Sequence, residues 1–475
     1  MLVTPDDLPP TRFPLRGSAQ DVVLEQDGVR HPWTARGRGR AFTAYGAITH
    51  LAVTERFVWI ASRRALTVLS RGLFQEPGDA ERLLRVLLER VGQSPGGDER
   101  LERIADVDAW GRDPAPPLVT RGVAMLCLVL FGLQYLFAPV TAVGSFVPAL
   151  FADGDWWRLL TANLLHSGPV HFALNLIGLL VVGRLVERSL GPVRTLCVMG
   201  ASAVASMGAS GLWIDGQVIG VSGVLFGLVG ALMFLEMARA EQLPAWWRFP
   251  RVLLWFMWIA LGFELLLGFW VPFIAGEAHL GGMVGGALAA AWLTRGAGLQ
   301  APVGVWARNA AALILAATVV AVAAAGEHWL GADDFTAEYA ARLVRIPGIE
   351  PETLNNQAWV IAIDPGHTRK QLKAALALAE RAVEATEAGE STILDTLAEV
   401  QFQLGRAEDA VLTIDLALEL APDESHYRYY YEQRRRFTGE RPPADRPADP
   451  NFLPPWGGDP DEPRRMSPPE DGLAV

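Results

Sequence analysis

Three short stretches of the chain carry side chains able to do chemistry. Ser222 stands in Gly220-Val221-Ser222-Gly223, at the expected start of an apolar helix. A serine there can simply cap the helix or bond back to its own backbone. Glycines on both sides also let a substrate approach the hydroxyl closely. A backbone N–H in the first turn is not yet committed to the helical ladder, so it can hold a developing oxyanion. His279, in Ala278–Gly286, opens another apolar helix. A lone histidine at such a place is often an ordinary interface residue. An ionisable group inside a bilayer is costly, however, and histidine is the usual base for a serine nucleophile near neutral pH. The third stretch is His166-Ser-Gly-Pro-Val-His171-Phe-Ala-Leu-Asn175. His171 and Asn175 are four residues apart, share one helix face and can both donate hydrogen bonds. They read equally well as polar glue between helices. Metal binding by His166 and His171 lacks a Cys, Asp or Glu at workable spacing.

These residues need a membrane scaffold to meet. A bilayer core of about 30 Å takes about 20 apolar residues per helix. Seven segments qualify: 119–138, 170–190, 193–213, 219–239, 252–273, 278–296 and 308–326. The second and third are parted only by Gly191-Pro192. Span four carries Gly223-xxx-Gly227 and span six Gly282-xxx-Gly286. Small residues at four-residue spacing let two membrane helices approach closely. That approach brings Ser222 and His279 together, with His171 and Asn175 at the same depth. Arg121, Arg184, Arg188, Arg194, Arg239, Arg248, Arg251, Arg295 and Arg308 share one side if the chain alternates regularly. The other side is mainly acidic, with Arg158 its exception. The positive side is cytoplasmic, so the N-terminus is expected inside and, after seven spans, the C-terminus outside. A bacterial inner membrane is the expected location.

Soluble blocks flank these spans. The chain has 475 residues, 51% of them hydrophobic, and a net charge of −11. The acidic balance argues against a nucleic-acid partner. Cys127 and Cys197 are the only cysteines, too few for a disulfide framework or a zinc set. Met1–Pro14 is acidic and proline-rich, unlike a secretory signal. Residues 1–115 hold the runs DVVLEQDGVR, YGAITHLAVT, FVWIASRR and ALTVLS, expected as one small antiparallel sheet. An amphipathic helix follows, with Asp79 as the expected N-cap and Leu83, Leu84, Leu87, Leu88 and Val91 on one face. This β+α block resembles a pleckstrin-homology-like module. Residues 391–424 are similar to a tetratricopeptide repeat, with Leu394, Leu397, Ala398, Gly405, Ala410, Ile414, Ala417 and Pro422 at packing and turn positions. A degenerate repeat precedes it, giving a helical region over 340–436. The tail, 437–475, has the composition of a disordered segment.

The membrane motifs carry a more specific resemblance: residues 118–326 resemble a rhomboid intramembrane serine protease. Trp157-Arg158 matches the family's Trp-Arg motif in the first outer loop, and His171-xxx-Asn175 that of the second span. Gly220-x-Ser222-Gly223 matches the nucleophile motif, and Ala278-His279-xx-Gly282-xxx-Gly286 that of the sixth span. Phe226 sits where the family keeps an aromatic ring against the catalytic histidine. Glu187 and Arg188 resemble the polar cluster ending the second span. A six-span core with one further span resembles the 6+1 subclass. The fold class is therefore a membrane all-α bundle of seven transmembrane helices between two soluble blocks. The His166-Ser-Gly-Pro stretch varies from some members.

The resemblance implies that Ser222 attacks a peptide carbonyl while His279 takes its proton. The Ser222 N–H, His171 and Asn175 would hold the oxyanion. No aspartate is at hand to orient His279, so a dyad steadied by Phe226 is expected. Glu264, in span five, is expected to cap or pair locally, with no catalytic role. No cofactor and no metal are implied. The implied substrates are transmembrane proteins, whose helices hide their carbonyls until unwound. Span five and loop residues Phe146, Leu150, Phe151 and Trp156 form the expected entry. The helical repeats offer a surface for a protein partner. A non-proteolytic client-binding scaffold is the alternative. A transporter would need polar residues along a whole path, whereas these cluster at one depth.

Overall fold

The structure, a computed structural model, describes residues 11–447 apart from 19, 33–39, 113, 138, 214–215, 250, 269–274 and 297. It is mostly helical, with a small β region at the N-terminal end and a helical region at the C-terminal end. Two compact units are distinguished. One comprises the described residues of 1–151, 155–214 and 218–326, and the other is built mainly from the described residues after 326.

The N-terminal strands form two antiparallel sheets where the sequence suggested one. β1 (Thr11–Phe13), β2 (Val22–Leu24), β3 (Gly28–His31) and β4 (Ala41–Ala44) pair in order, as do β5 (Ile48–Val53), β6 (Phe57–Ser62) and β7 (Leu66–Ser70). A three-residue 3-10 turn, Tyr45–Ala47, breaks the run YGAITHLAVT and separates the sheets. Along β6, Val58 and Ile60 are buried while Phe57 and Trp59 are only partly covered, the two-residue alternation of a strand with one face on a core. α1 (Asp79–Gln93) closes this core with Leu83, Leu87 and Val91 fully buried, and Leu84 and Leu88 packed at its edge. Its N-cap is Gly78, at φ +90°, so Asp79 is the first helical residue rather than the cap. The left-handed conformation there suits glycine, which has no Cβ to clash. α2 (Gly97–Arg112) was not foreseen, because few apolar residues mark its face: Ile104 and Val107 are buried, with Leu101 beside them.

This domain is tied to the membrane helices within the same unit. His50 Nδ1 accepts the Ala245 N–H at 3.0 Å, and Arg248 donates to the Ser62 carbonyl at 2.8 Å. Trp110 packs edge-on against Trp247, with centroids 4.8 Å apart. Burial pushes the His50 imidazole down to about 4, although Asp108 opposes that shift.

The apolar segments form helices near the expected places. α3 is Leu118–Leu136. The loop after it folds into α4 (Pro139–Gly144), α5 (Pro148–Ala152) and α6 (Arg158–Thr161). α7 (Pro169–Trp213) is continuous in hydrogen bonding but broken at Gly191, whose φ 76° and ψ 166° are not helical. Gly191-Pro192 thus separates two segments, as expected. α8 (Ser222–Ala238), α9 (Arg251–Gly268), α10 (Gly276–Leu293) and α11 (Val305–Leu330) follow. Leu118–Leu136, Pro169–Leu212 and Val305–Leu330 are long and apolar enough to cross a membrane, and Ser222–Ala238 is a shorter apolar helix. At about 1.5 Å per residue, the broken α7 is long enough for two crossings. The core at the centre of this bundle includes Leu179, Val186, Val198, Leu228, Ala231, Leu235 and Ala290. Glu187 is buried and accepts from the Val119 and Thr120 N–H groups and the Thr120 hydroxyl, at 2.7–2.9 Å. A carboxylate there satisfies the first amides of α3 and sits favourably at its dipole.

The second unit stacks α12 (Phe335–Arg345), α13 (Pro351–Ile363), α14 (Arg369–Ala385), α15 (Ser391–Gln403), α16 (Ala407–Glu419) and α17 (Glu424–Phe437). α13 packs on α14 and α15 on α16. Leu394, Leu397, Ala398, Ala410, Ile414 and Ala417 are buried, and Gly405 turns the chain at φ +81°. Residues 438–447 of the expected tail are held: Arg446 reaches Glu399 at 2.7 Å, and Arg441 reaches Glu432 at 3.1 Å. Residues 448–475 lie outside the described residues.

Candidate active site

Ser222 is the first residue of α8, and its N-cap is Val221, which makes no side-chain cap bond. The Ser222 hydroxyl does not cap. It lies 2.8 Å from His279 Nε2. His279 is the fourth residue of α10, and its ring stacks on Phe226, with centroids 4.4 Å apart and planes 11° apart. The serine, histidine and phenylalanine foreseen together are therefore together. A serine hydroxyl hydrogen-bonded to an imidazole nitrogen is the pairing from which serine nucleophiles are built.

The close approach rests on backbone-to-backbone packing. A Cβ at Gly282 would lie 2.0 Å from the Gly223 carbonyl oxygen, and one at Gly286 would lie 2.0 Å from that of Gly227. The seam involves more residues than the two motifs. A Cβ at Gly223 would meet Ser206 Oγ at 1.9 Å, one at Gly227 would meet Ser202 Oγ at 1.9 Å, and one at Gly230 would meet the Met283 carbonyl at 2.2 Å. Gly281 and Gly285 face Ala205 and its neighbours on α7 in the same way. The row Ala201, Ala205, Ala209 at four-residue spacing was the sequence signal for that third contact.

His171 and Asn175 stand on the first turns of α7. A Cβ at Gly220 would come within 2.9 Å of His171 Cε1 and 3.5 Å of Ser222 Oγ, so the histidine edge lies beside the serine. Gly220 has φ +134°, open to glycine alone, which permits this approach. The Ser167 N–H points to His171 Nδ1 at 3.4 Å, with the Ser167 hydroxyl at 2.9 Å. A backbone amide can only donate, so Nδ1 accepts and the ring proton of a neutral His171 sits on Nε2. Asn175 is buried, and its Nδ2 has no hydrogen-bond partner among the described residues. Two donors and the uncommitted Ser222 amide can thus serve a developing oxyanion.

Trp157 and Arg158 are not at the reacting atoms. They organise the loop between α3 and α7. Trp157 Nε1 donates to the Val143 carbonyl at 3.0 Å. Arg158, fully buried, binds the Ala142 and Ser145 carbonyls at 2.8 and 2.7 Å and pairs with Asp155 at 2.8 Å. The loop is then stitched to the chain before Ser222. Phe146 and Val218 exchange backbone bonds at 2.9 and 3.0 Å, and the Gly220 N–H donates to the Ala162 carbonyl at 2.9 Å. Phe146 and Leu150 are core residues, which corrects their expected place in an entry, whereas Phe151 and Trp156 are exposed. His166 is buried among Phe131, Phe172 and His171, and its backbone is clamped by Gln134 on both sides at 3.0 Å.

One residue departs from expectation. Glu264 of α9 pairs with His279 Nδ1 through its Oε1, so an acid does face the histidine. Glu264 and His279 lie fifteen residues apart on different helices. No spacing rule joins positions across such a connection, which is why the sequence did not reveal the pair.

A membrane helical bundle holding this serine and histidine defines the class, and comparison with known proteins agrees. Residues 153–296 match the rhomboid domain, inside the span expected from the motifs. The chain belongs to the rhomboid family. It is 34% identical over 154 residues to the rhomboid protease GluP of Bacillus subtilis (strain 168), covering 32% of this chain and 29% of GluP. YdcA of the same organism is 33% identical over 141 residues, covering 29% of this chain and 67% of YdcA. The rhomboid protease GlpG of Yersinia pestis (strain Pestoides F) is 30% identical over 189 residues, covering 39% and 65%. The chain thus spans under a third of GluP's length.

Proposed function

We propose that the chain is an intramembrane serine endopeptidase that cuts transmembrane proteins near the outer membrane face. The observation that carries this reading is the 2.8 Å contact of Ser222 Oγ with His279 Nε2, on a ring stacked against Phe226. Ser222 Oγ attacks the scissile carbonyl, and its proton passes to His279 Nε2. The carbonyl oxygen becomes an oxyanion held by the Ser222 amide, His171 Nε2 and Asn175 Nδ2. As the tetrahedral centre collapses, the C–N bond breaks and Nε2 gives its proton to the leaving amine. Water then attacks the acyl-enzyme with His279 again as base, freeing Ser222.

Substrate reaches this pair from the side of α9. That helix packs chiefly on α10 and exposes Trp255, Phe256, Trp258, Ile259, Phe263 and Leu266, an apolar face suited to lipid or to another helix. A substrate helix must unwind to offer its carbonyl, so small or helix-breaking residues near the cut favour cleavage. The seven apolar segments give a 6+1 arrangement with the N-terminus cytoplasmic and the C-terminus outside, by the distribution of arginines. The N-terminal sheets are a pleckstrin-homology-like docking domain, and the helices of 340–436 are tetratricopeptide-like repeats that bind a protein partner.

Purified wild type, Ser222→Ala and His279→Ala, each given a test transmembrane substrate in detergent, decide between cleavage and scaffolding. Cleavage by wild type alone supports the protease. Equal product from wild type and Ser222→Ala contradicts it and favours a non-proteolytic client-binding protein.

A further inference from the structure

We propose that Glu264 is a positioning residue for His279, completing a Ser222–His279–Glu264 triad. This inference rests on the reading of Ser222 as nucleophile and deepens it. His279 is bonded at both ring nitrogens, Nδ1 to Glu264 Oε1 and Nε2 to Ser222 Oγ. An ionised carboxylate can only accept, so it holds the ring proton on Nδ1. The neutral imidazole then turns a bare Nε2 toward the serine hydroxyl, as a general base requires.

Phe226 and Glu264 divide the work of holding the ring. A face-to-face stack, with planes 11° apart, fixes the plane of the imidazole but not which way round it lies, because a half-turn about Cβ–Cγ keeps the same plane. The hydrogen bond from Nδ1 to Glu264 selects one of those two orientations. When the Ser222 proton arrives at Nε2, the ring becomes a cation beside the carboxylate. The two side chains are only 13% and 21% exposed, so water screens that attraction poorly. The remaining oxygen of Glu264, Oε2, is buried without a hydrogen-bond partner among the described residues. Among the described residues no arginine or lysine pairs with this carboxylate; its ion-pair partner is His279. A carboxyl group at membrane depth is costly to keep, and His279 is the partner that offsets the cost.

The test compares wild type, Glu264→Gln, His279→Ala and the double variant on the same transmembrane substrate, with proton NMR of the full-length protein in detergent. Glu264→Gln should lower kcat by about 10²–10⁴-fold with KM nearly unchanged, because an amide can turn an N–H toward Nδ1 and favour the wrong tautomer. Adding it to His279→Ala should cost nothing more, since a residue acting through the histidine has nothing left to act on. Wild type should show a far-downfield proton resonance for the His279 Nδ1–H that His279→Ala lacks. This readout does not depend on how well Glu264→Gln folds. Wild-type kcat in Glu264→Gln, an equal loss in the His279→Ala background, or no such resonance would each overturn the proposal. A wild type that cleaves nothing overturns the protease reading instead.

Discussion

Gly286→Ala should disable the site from a distance. Gly286 lies seven residues beyond His279 on α10, about 10 Å along the helix axis, and touches neither reacting group. A methyl there would lie 2.0 Å from the Gly227 carbonyl oxygen and 2.6 Å from its Cα. Non-bonded carbon atoms settle near 3.5–4.0 Å, so α8 and α10 must part by more than about 1 Å. The obstacle is backbone, so no side chain can swing aside. Because α10 carries His279 and α8 carries Ser222, the same parting lengthens the 2.8 Å contact between them. A misplacement of about 1 Å costs about 10²-fold in rate, and overpacking a core costs about 1–3 kcal/mol of stability. The assay is kcat/KM on a transmembrane substrate, with thermal unfolding of the same preparations. Gly208→Ala on α7 is the control, because nothing lies within 4 Å of its added methyl. A folded Gly286→Ala protein with wild-type kcat/KM would refute the claim that the glycine seam sets the serine–histidine distance.

Three further outcomes are expected. Gly220→Ala places a methyl 2.9 Å from His171 Cε1 at φ +134°, and it should lower kcat about 10-fold or more by displacing the proposed oxyanion donor. Unchanged single-turnover rates would count against that role of His171. His50 is buried and held neutral, at about 4, against about 6.5 in an unfolded chain. The unfolded state therefore takes up the proton first, and stability should fall as the pH drops from about 6.5 to 4, by at most about 3 kcal/mol. Denaturation at pH 7 and pH 5 should show a steeper loss for wild type than for His50→Gln, and identical pH dependence would remove His50 as the cause. In the second unit Glu399 is fully buried and pairs with both Arg436 and Arg446. Glu399→Ala leaves those guanidiniums without their carboxylate and should cost about 3–5 kcal/mol, seen as faster hydrogen exchange in α15 and α17 of the full chain. Unaltered protection there would contradict it.

The contact of Ser222 with His279 was legible because its signals are local. Gly220-Val221-Ser222-Gly223 and Ala278–Gly286 each open a helix, and the four-residue glycine spacing on both helices specifies how they meet. Gly191-Pro192 was legible for the same reason, since a glycine before a proline breaks the helical dihedrals at that point. What stayed hidden depends on contacts between distant segments. Glu264 meets His279 only because α9 packs on α10, and Ser202 and Ser206 join the glycine seam only because the second half of α7 lies against α8. In the N-terminal block a periodic apolar face announced α1. The sparse face of α2 and the three-residue turn between the sheets left no comparable pattern.

The most direct test of the central claim is covalent labelling of Ser222. Full-length protein in detergent is treated with a fluorophosphonate, which reacts with a serine only when a neighbouring base takes its proton, and the adduct is located by peptide mass spectrometry. The account predicts one adduct, on Ser222, lost in His279→Ala and retained in Gly208→Ala. Labelling of another residue, or labelling of Ser222 that survives His279→Ala undiminished, would contradict it.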